Sequence, residues 1–172
     1  MATVDELASE LAVLRTRLAS TEAVLTIQAL KARYGELVDL RFSRGDVVGP
    51  ATLDAVVADI VGLFTGDAVW DGGPVLGVAE GRSAIAERLR EPTLVFSRHF
   101  FLNPRIRVEA TGASGRWDLL CPCRTPDGKS WWMCGYEDDE YRLENGKWRH
   151  SSMRLTTVFM TRTRDDFGPI LV

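Results

Sequence analysis

Two histidines, His99 and His150, and three cysteines, Cys121, Cys123 and Cys134, are the scarce reactive residues of this chain. Imidazole is the side chain best matched to proton transfer near neutral pH. A structural zinc site wants four Cys/His ligands in paired spacings, and Cys-Pro-Cys followed by a long gap does not supply them, so no metal is expected. In Cys121-Pro122-Cys123 only Arg124 stands near enough in sequence to lower a thiol pKa, and the cysteines read as structural. His99 opens a strand-like run, Ser97-Arg98-His99-Phe100-Phe101-Leu102-Asn103. A histidine base needs a partner on its other ring nitrogen, usually a carboxylate. Asp39 follows Leu37-Val38 and precedes Leu40, and an aspartate among apolar neighbours is costly unless paired. Tyr34 lies five residues earlier, about 140° around a helix, so both can flank one face. Spacing alone leaves two readings open. Asp39 either orients His99, or is a helix-end carboxylate bonded to Arg41 or Arg44.

The elements that must position these residues change character along the chain. Residues 4–42 read as helix, with Thr3-Val4-Asp5-Glu6 as a capping box. Leu7, Leu11, Leu14 and Leu18 form a narrow seam of coiled-coil spacing, which fits either packing on its own domain or a subunit contact. Ser20-Thr21-Glu22 suggests a second helix start, after which Leu25, Leu30, Tyr34, Leu37 and Val38 make a broader apolar face. Arg44-Gly45-Asp46 breaks the pattern. Pro50 and Thr52 open a second helix, Ala68 to Asp71 is a short strand, Gly72-Gly73-Pro74 a loop, and Ser83 caps a further short helix. Four strand-length runs follow, over 98–110, 113–124, 130–144 and 147–161. Their separators are Thr111-Gly112, Thr125-Pro126-Asp127-Gly128 and Glu144-Asn145-Gly146, all hairpin signals. Helices followed by an antiparallel meander define an α+β fold. The long strands, broken by Pro104 and Pro122, imply a strongly curved sheet, and helices across its concave face would enclose a cone with one open mouth. The expected organisation is an extension over 1–20, a domain over 21–162 and a tail over 163–172.

Composition narrows the function classes. The chain is 45% hydrophobic and 26% charged, which is globular rather than disordered. A net charge of −3 argues against nucleic acid and anionic membranes as partners. No stretch approaches the roughly 18 apolar residues of a membrane span. The opening residues lack the basic start and apolar run of a signal peptide, so the expected location is the cytoplasm.

Ordered motifs add a resemblance. Ile27, Arg33-Tyr34 and Asp39 resemble the first helix of the SnoaL-like branch of the nuclear transport factor 2-like superfamily. Leu63 to Trp70 resembles that family's exit from the second helix into the first strand. Gly81-Arg82-Ser83-Ala84-Ile85, His99-Phe100-x-x-Asn103, and the hairpin from Tyr136 to Arg149 follow in the family's order. The resemblance spans roughly residues 22–160. It implies a cone-shaped α+β barrel shared with polyketide cyclases, scytalone and bile-acid dehydratases, a dehydrochlorinase and steroid isomerases. It also implies a His–Asp pair at His99 and Asp39, with Tyr34 beside it. The sequence departs from scytalone dehydratase-like sites, whose further His and Tyr residues have only His150 to match them here. Strand parity sets His150 on the face of Trp148, taken as the outer one.

Phasing the strands by the resemblance implies that Trp117, Leu119, Cys121, Trp131, Met133 and Gly135 turn inward and Trp132 outward, with Trp70 near the mouth. Trp70, Trp117, Leu119, Trp131, Met133 and Phe101 are therefore the expected substrate-binding residues, and aromatic and sulfur-rich walls suit a polycyclic or aromatic substrate. An inward Glu137 would be notable, although its run with Asp138-Asp139-Glu140 reads more simply as a solvated strand edge. The expected function is a cofactor-free lyase, isomerase or cyclase, dehydratase-like, of the kind found in secondary metabolism. In it His99, oriented by Asp39, takes a proton from carbon while Tyr34 stabilises the developing charge. The alternative is a non-catalytic carrier or a structural subunit like the dioxygenase small subunits of the same fold. A homo-oligomer is expected, through the Trp132 face and the N-terminal helix. The apolar tail from Phe167 to Val172 reads as a cover for the mouth, a contact with a second subunit, or a frayed end.

Overall fold

A computed structural model describes residues 2–171. The first helix, α1 (Val4–Asp39), starts on the capping box, in which the Thr3 hydroxyl accepts from the Glu6 amide and the Glu6 carboxylate accepts from the Thr3 amide. It runs unbroken through Ser20-Thr21-Glu22, so no second start is used there. The Thr16, Thr21 and Thr26 hydroxyls instead donate to carbonyls one turn back, which lets polar side chains remain inside a helix. The helix changes character, not direction: Leu7, Leu11, Leu14 and Leu18 are exposed, and burial begins at Ala23. From there Ile27, Lys31, Tyr34 and Val38 recur at helical spacing on the buried face.

A two-stranded turn follows, β1 (Phe42–Ser43) with β2 (Asp46–Val47), through Arg44 and Gly45 at positive φ. Then come α2 (Pro50–Val61), β3 (Phe64–Asp71), α3 (Gly73–Leu76), β4 (Val78–Glu80) and α4 (Gly81–Arg90). Proline stands in the first turn of both α2 and α3, where its missing N–H costs nothing. Residues expected as a Gly-rich loop thus form one helical turn. Glu80, not Ser83, is the N-cap residue of α4, so Ser83 lies inside the helix.

Five strands complete the chain: β5 (Phe96–Ser97), β6 (Phe100–Val108), β7 (Ala113–Arg124), β8 (Ser130–Glu144) and β9 (Lys147–Arg162). The main sheet runs β4-β3-β9-β8-β7-β5, with β6 also on β7. Only the β3–β9 pair is parallel, so the sheet is mixed. It is strongly curved into a half-barrel, and α1 lies in it. Breaks in register account for the curvature, because an extra residue in one strand bends it and raises its twist. They fall in β6 beside Asn103-Pro104, between β3 and β9 after Phe64, and twice between β8 and β9. At one of these, Gly135 has no alternative: a Cβ would stand 2.2 Å from the Thr156 carbonyl oxygen.

The strand faces alternate as a half-buried sheet requires. Trp117, Leu119, Cys121 and Cys123 of β7 are buried, and Trp132 of β8 is outward and exposed. The core joins Tyr34, Leu37 and Val38 of α1 to Val57 and Ile60 of α2, Phe64 and Ala68 of β3, Ile85 and Leu89 of α4, and Met153 of β9. The tail folds back on its own sheet. Phe167 meets Phe96 and Trp132 edge to face, its amide donates to the Ser130 hydroxyl at 3.0 Å, and Arg124 donates to the carbonyls of Phe167 and Gly168.

Candidate active site

The end of α1 and the start of β6 meet inside the half-barrel. Asp39, the last residue of α1, accepts three hydrogen bonds from the β5–β6 segment. They come from the Ser97 hydroxyl at 2.9 Å, the His99 backbone amide at 2.9 Å and His99 Nδ1 at 2.7 Å. An ionised carboxylate can only accept, so the proton between the two side chains sits on His99 Nδ1 and the lone pair of the neutral ring is on Nε2. Phe101, two residues on, stacks on the imidazole at 5.9 Å and closes its other side. Asp39 does not pair with Arg41 or Arg44; Arg41 Nε instead donates to the Val38 carbonyl.

His99 lines a cavity of about 180 Å³, together with Tyr34, Trp70, Leu119 and Met133. Tyr34 is buried, and its oxygen accepts from Trp70 Nε1 at 3.2 Å, which leaves its own O–H free to donate. Burial, reinforced by the nearby Glu137 carboxylate, pushes the phenol far above its ordinary value, so Tyr34 is a hydrogen-bond donor at any physiological pH. Exposed residues at the cavity's edge, Val75, Glu91 and Thr93, mark where it opens.

The remaining expected binding residues stand elsewhere. Trp117 is buried deeper under α1, with Ile27 and Tyr141, and donates from Nε1 to the Tyr141 hydroxyl at 2.9 Å. Trp131 packs against the Leu119, Cys121 and Cys123 cluster, and Phe101 packs behind His99. None of these three lines the cavity.

His150 corrects an expectation. It shares a face with Trp148, as parity requires, but that face is the inner one. The ring is fully buried among Tyr34, Phe64 and Tyr141. β9 passes beneath α1 at this point, and the β8–β9 irregularity just beyond it lets Met153, three residues later, turn inward as well. Neither ring nitrogen of His150 has a hydrogen-bond partner, and Asp139 is 3.7 Å away. Burial, with the Lys31 charge nearby, holds the imidazole well below its ordinary pKa, so it is neutral.

The run from Glu137 to Glu140 is a solvated edge on one face only: Asp138, paired with Arg116, and the exposed Glu140 face outward. Glu137 and Asp139 point inward and both ion-pair with Lys31, which is completely buried on α1. Asp139 accepts from Lys31 Nζ at 2.7 Å and from the Tyr141 hydroxyl at 2.8 Å. Burial works against the Lys31 charge, but the two carboxylates outweigh it and raise its pKa. Burial lifts Asp139 to about 6, opposed by Lys31 and assisted by Glu137. Lys31 also lies over the Phe101 ring at 4.2 Å, and Glu137 reaches the cavity wall. Lys31 was not singled out from the sequence. The signals for it were helical spacing from Ile27 and Tyr34, and strand parity that turned Glu137, Asp139 and Tyr141 inward with Met133.

Among the described residues, no group of three or more His, Cys, Asp and Glu side chains is placed to hold a metal ion. No helix among the described residues is long and apolar enough to cross a membrane.

A curved mixed sheet closed by a long N-terminal helix is the nuclear transport factor 2-like fold, and solved structures confirm the likeness. The hexachlorocyclohexane dehydrochlorinase LinA-type3 from Novosphingobium barchaimii LL02 superposes with a TM-score of 0.70 at 21% identity, covering 89% of this chain and 97% of its own. A scytalone dehydratase-like protein from Novosphingobium aromaticivorans gives 0.65 at 19%, covering 94% and 97%. An NTF2-like protein with a cystatin-like fold from the same species gives 0.64 at 21%, covering 92% of each chain. At such identities the likeness concerns the fold. The SnoaL-like domain matches residues 50–154, and the chain belongs to that family. No curated protein matches it by sequence.

Proposed function

We propose that the protein is a lyase-type enzyme that needs no cofactor, in which His99 takes a proton from a carbon next to a carbonyl group. The observation that carries this reading is the 2.7 Å bond from His99 Nδ1 to Asp39, in a histidine that lines an internal cavity. Asp39 fixes the tautomer, so Nε2 is the basic nitrogen, and it stabilises the imidazolium that forms. Without metal assistance the C–H bond must already be acidic, which calls for a carbonyl or similar group beside it. Tyr34, held by Trp70 and kept protonated by its surroundings, donates to the oxygen on which charge develops. In an elimination the same donor assists the departing group. The dehydratase-like and dehydrochlorinase neighbours are consistent with such chemistry.

The volume of the cavity narrows the substrate. About 180 Å³ is close to the roughly 150 Å³ space known to take benzene and below the roughly 300 Å³ of typical drug-sized pockets. A single aromatic ring with a carbonyl group fits better than a polycyclic one. The reading is tested by deuterium exchange into acidic C–H positions of small aromatic ketones, comparing the protein with His99→Ala and Asp39→Asn.

We also propose a homo-oligomer, supported by the exposed seam of Leu7, Leu11, Leu14 and Leu18 and by the outward Trp132.

A further inference from the structure

The cavity wall carries two cations that proton transfer does not use. Arg41, just past the end of α1, donates from Nε to the Val38 carbonyl at 3.0 Å and from Nη1 to the Leu89 carbonyl at 3.3 Å. Arg88, in the last turn of α4, donates from Nε to the Leu76 carbonyl at 3.0 Å and from Nη1 to the Glu91 carbonyl at 3.1 Å. These neutral carbonyls hold each guanidinium in place without neutralising it. Among the described residues neither lies within 4.0 Å of a carboxylate, whereas most other arginines with a polar partner here meet Asp or Glu.

The carboxylates that share the cavity are largely committed. Asp39 holds His99 and Ser97, Glu137 holds Lys31, and Asp71 pairs with Arg154. Glu91 is exposed at the rim and makes no ion pair. Among the described residues Nη2 of each arginine donates to no protein group and is not a buried orphan, so it keeps solvent access on a residue that lines the cavity. Two like charges on one partly buried wall oppose each other and cost desolvation energy. Burial presses the Arg41 pKa downward and Arg88 adds to this, against the opposing pull of Tyr34 and Asp39. An arrangement of this kind is relieved by an anion, and a planar guanidinium matches a carboxylate.

We propose that the cavity recognises an aromatic carboxylate, with Arg41 and Arg88 receiving the carboxylate group while the ring lies among Trp70, Leu119 and Met133. The inference rests on the proton-transfer reading for what then happens to the ligand, but on the arginines alone for its binding. It divides the site by charge: an anion-binding side at the ends of α1 and α4, and a basic imidazole on the β6 side. The carbonyl beside the acidic carbon therefore belongs to a molecule that also carries a carboxylate.

The test is calorimetric titration of the full-length protein with benzoate, phenylpyruvate and phenylacetate, each against its neutral amide. The carboxylates are expected to bind at least tenfold more tightly than the amides. Arg88→Gln is expected to remove most of that preference by weakening the carboxylates far more than the amides, and Arg88→Lys to retain part of it. Arg41→Gln serves as the second variant, with circular dichroism to verify its fold. Equal affinity for acid and amide, no carboxylate binding at millimolar concentration, or a preference untouched in both Gln variants would overturn the inference. Carboxylate binding without proton exchange would sink the enzymatic reading and leave this one standing. Exchange on neutral ketones with no preference for carboxylates would do the reverse.

Discussion

Asp39 stands where a helix least favours a carboxylate, at the C-terminal end of α1, because the helix dipole is negative there. Three donors hold it regardless, two of them from His99 itself. A residue placed against its local electrostatics, yet held by Ser97 and by both the amide and the ring of His99, is better explained by how it fixes that imidazole than by its contribution to stability. The scarcity of histidine and the apolar neighbours of Asp39 made the pairing one of two readings, and only the family resemblance favoured it. The position of His150 was not legible in the sequence: parity fixes which residues share a face, but not which face lies under α1. The buried, neutral His150 carries a prediction of its own. Its folded pKa lies below its unfolded value, so below about pH 6.5 the unfolded chain takes up a proton that the folded chain refuses. Its contribution to stability is present above that pH and is lost as pH falls. Asp139 acts in the opposite sense: its folded value of about 6 exceeds the ordinary 3.8, so its contribution is lost as pH rises through 6. Urea denaturation of the protein and of His150→Phe between pH 5 and 7.5 separates the two. Relative to the variant, the protein should lose stability on acidification by up to about 1.4 kcal/mol per pH unit. Parallel curves would show that His150 titrates normally.

Between elements, the Lys31 triad is the polar joint that ties α1 to β8 inside an otherwise apolar interior. Lys31→Met leaves two buried carboxylates without their cation and should cost about 3–5 kcal/mol of unfolding free energy, measured by denaturant titration. Adding Glu137→Gln and Asp139→Asn to Lys31→Met should recover a substantial part of that loss, since the unpaired charges are then gone. A loss below about 1 kcal/mol in the single variant would mean that the lysine is not confined as described. The strands and their turns were readable from sequence because Gly, Asn and Asp mark the hairpins and alternation marks the faces. The register breaks were not, since a bulge is a property of two strands together. Gly135 is readable as the residue facing the bulge only once Thr157 is known to lie opposite, with Val158 as the extra residue of β9 and the Thr156 carbonyl pressed against it. The expected helix start at Ser20 failed because serine and threonine cap helices only where the backbone turns, and here the Thr21 hydroxyl donates to the Arg17 carbonyl inside a continuous helix.

For the molecule as a whole, the SnoaL-like fold supplies a curved sheet, a helix closing its concave side and a cavity between them, and the particular residues decide what that cavity does. Here they place a His–Asp pair, a protonated tyrosine and two uncompensated arginines around space for one small ring. The leucine seam on α1 begins before the first buried residue of the domain, Ala23. Sedimentation should therefore show an oligomer for the full chain and a smaller species for a chain lacking residues 1–20, with unchanged thermal stability of the remaining domain. A monomer in both cases would remove the seam from the account. The central claim is that His99 acts as a base toward carbon inside the cavity. The most direct measurement follows proton exchange at the carbon beside the carbonyl of phenylpyruvate and phenylacetone in deuterated buffer by NMR. The account predicts exchange by the protein at least 10²-fold faster than by His99→Ala, within the range that acid–base catalysis supplies, with the variant still folded by circular dichroism. Equal rates for the two folded proteins would contradict it.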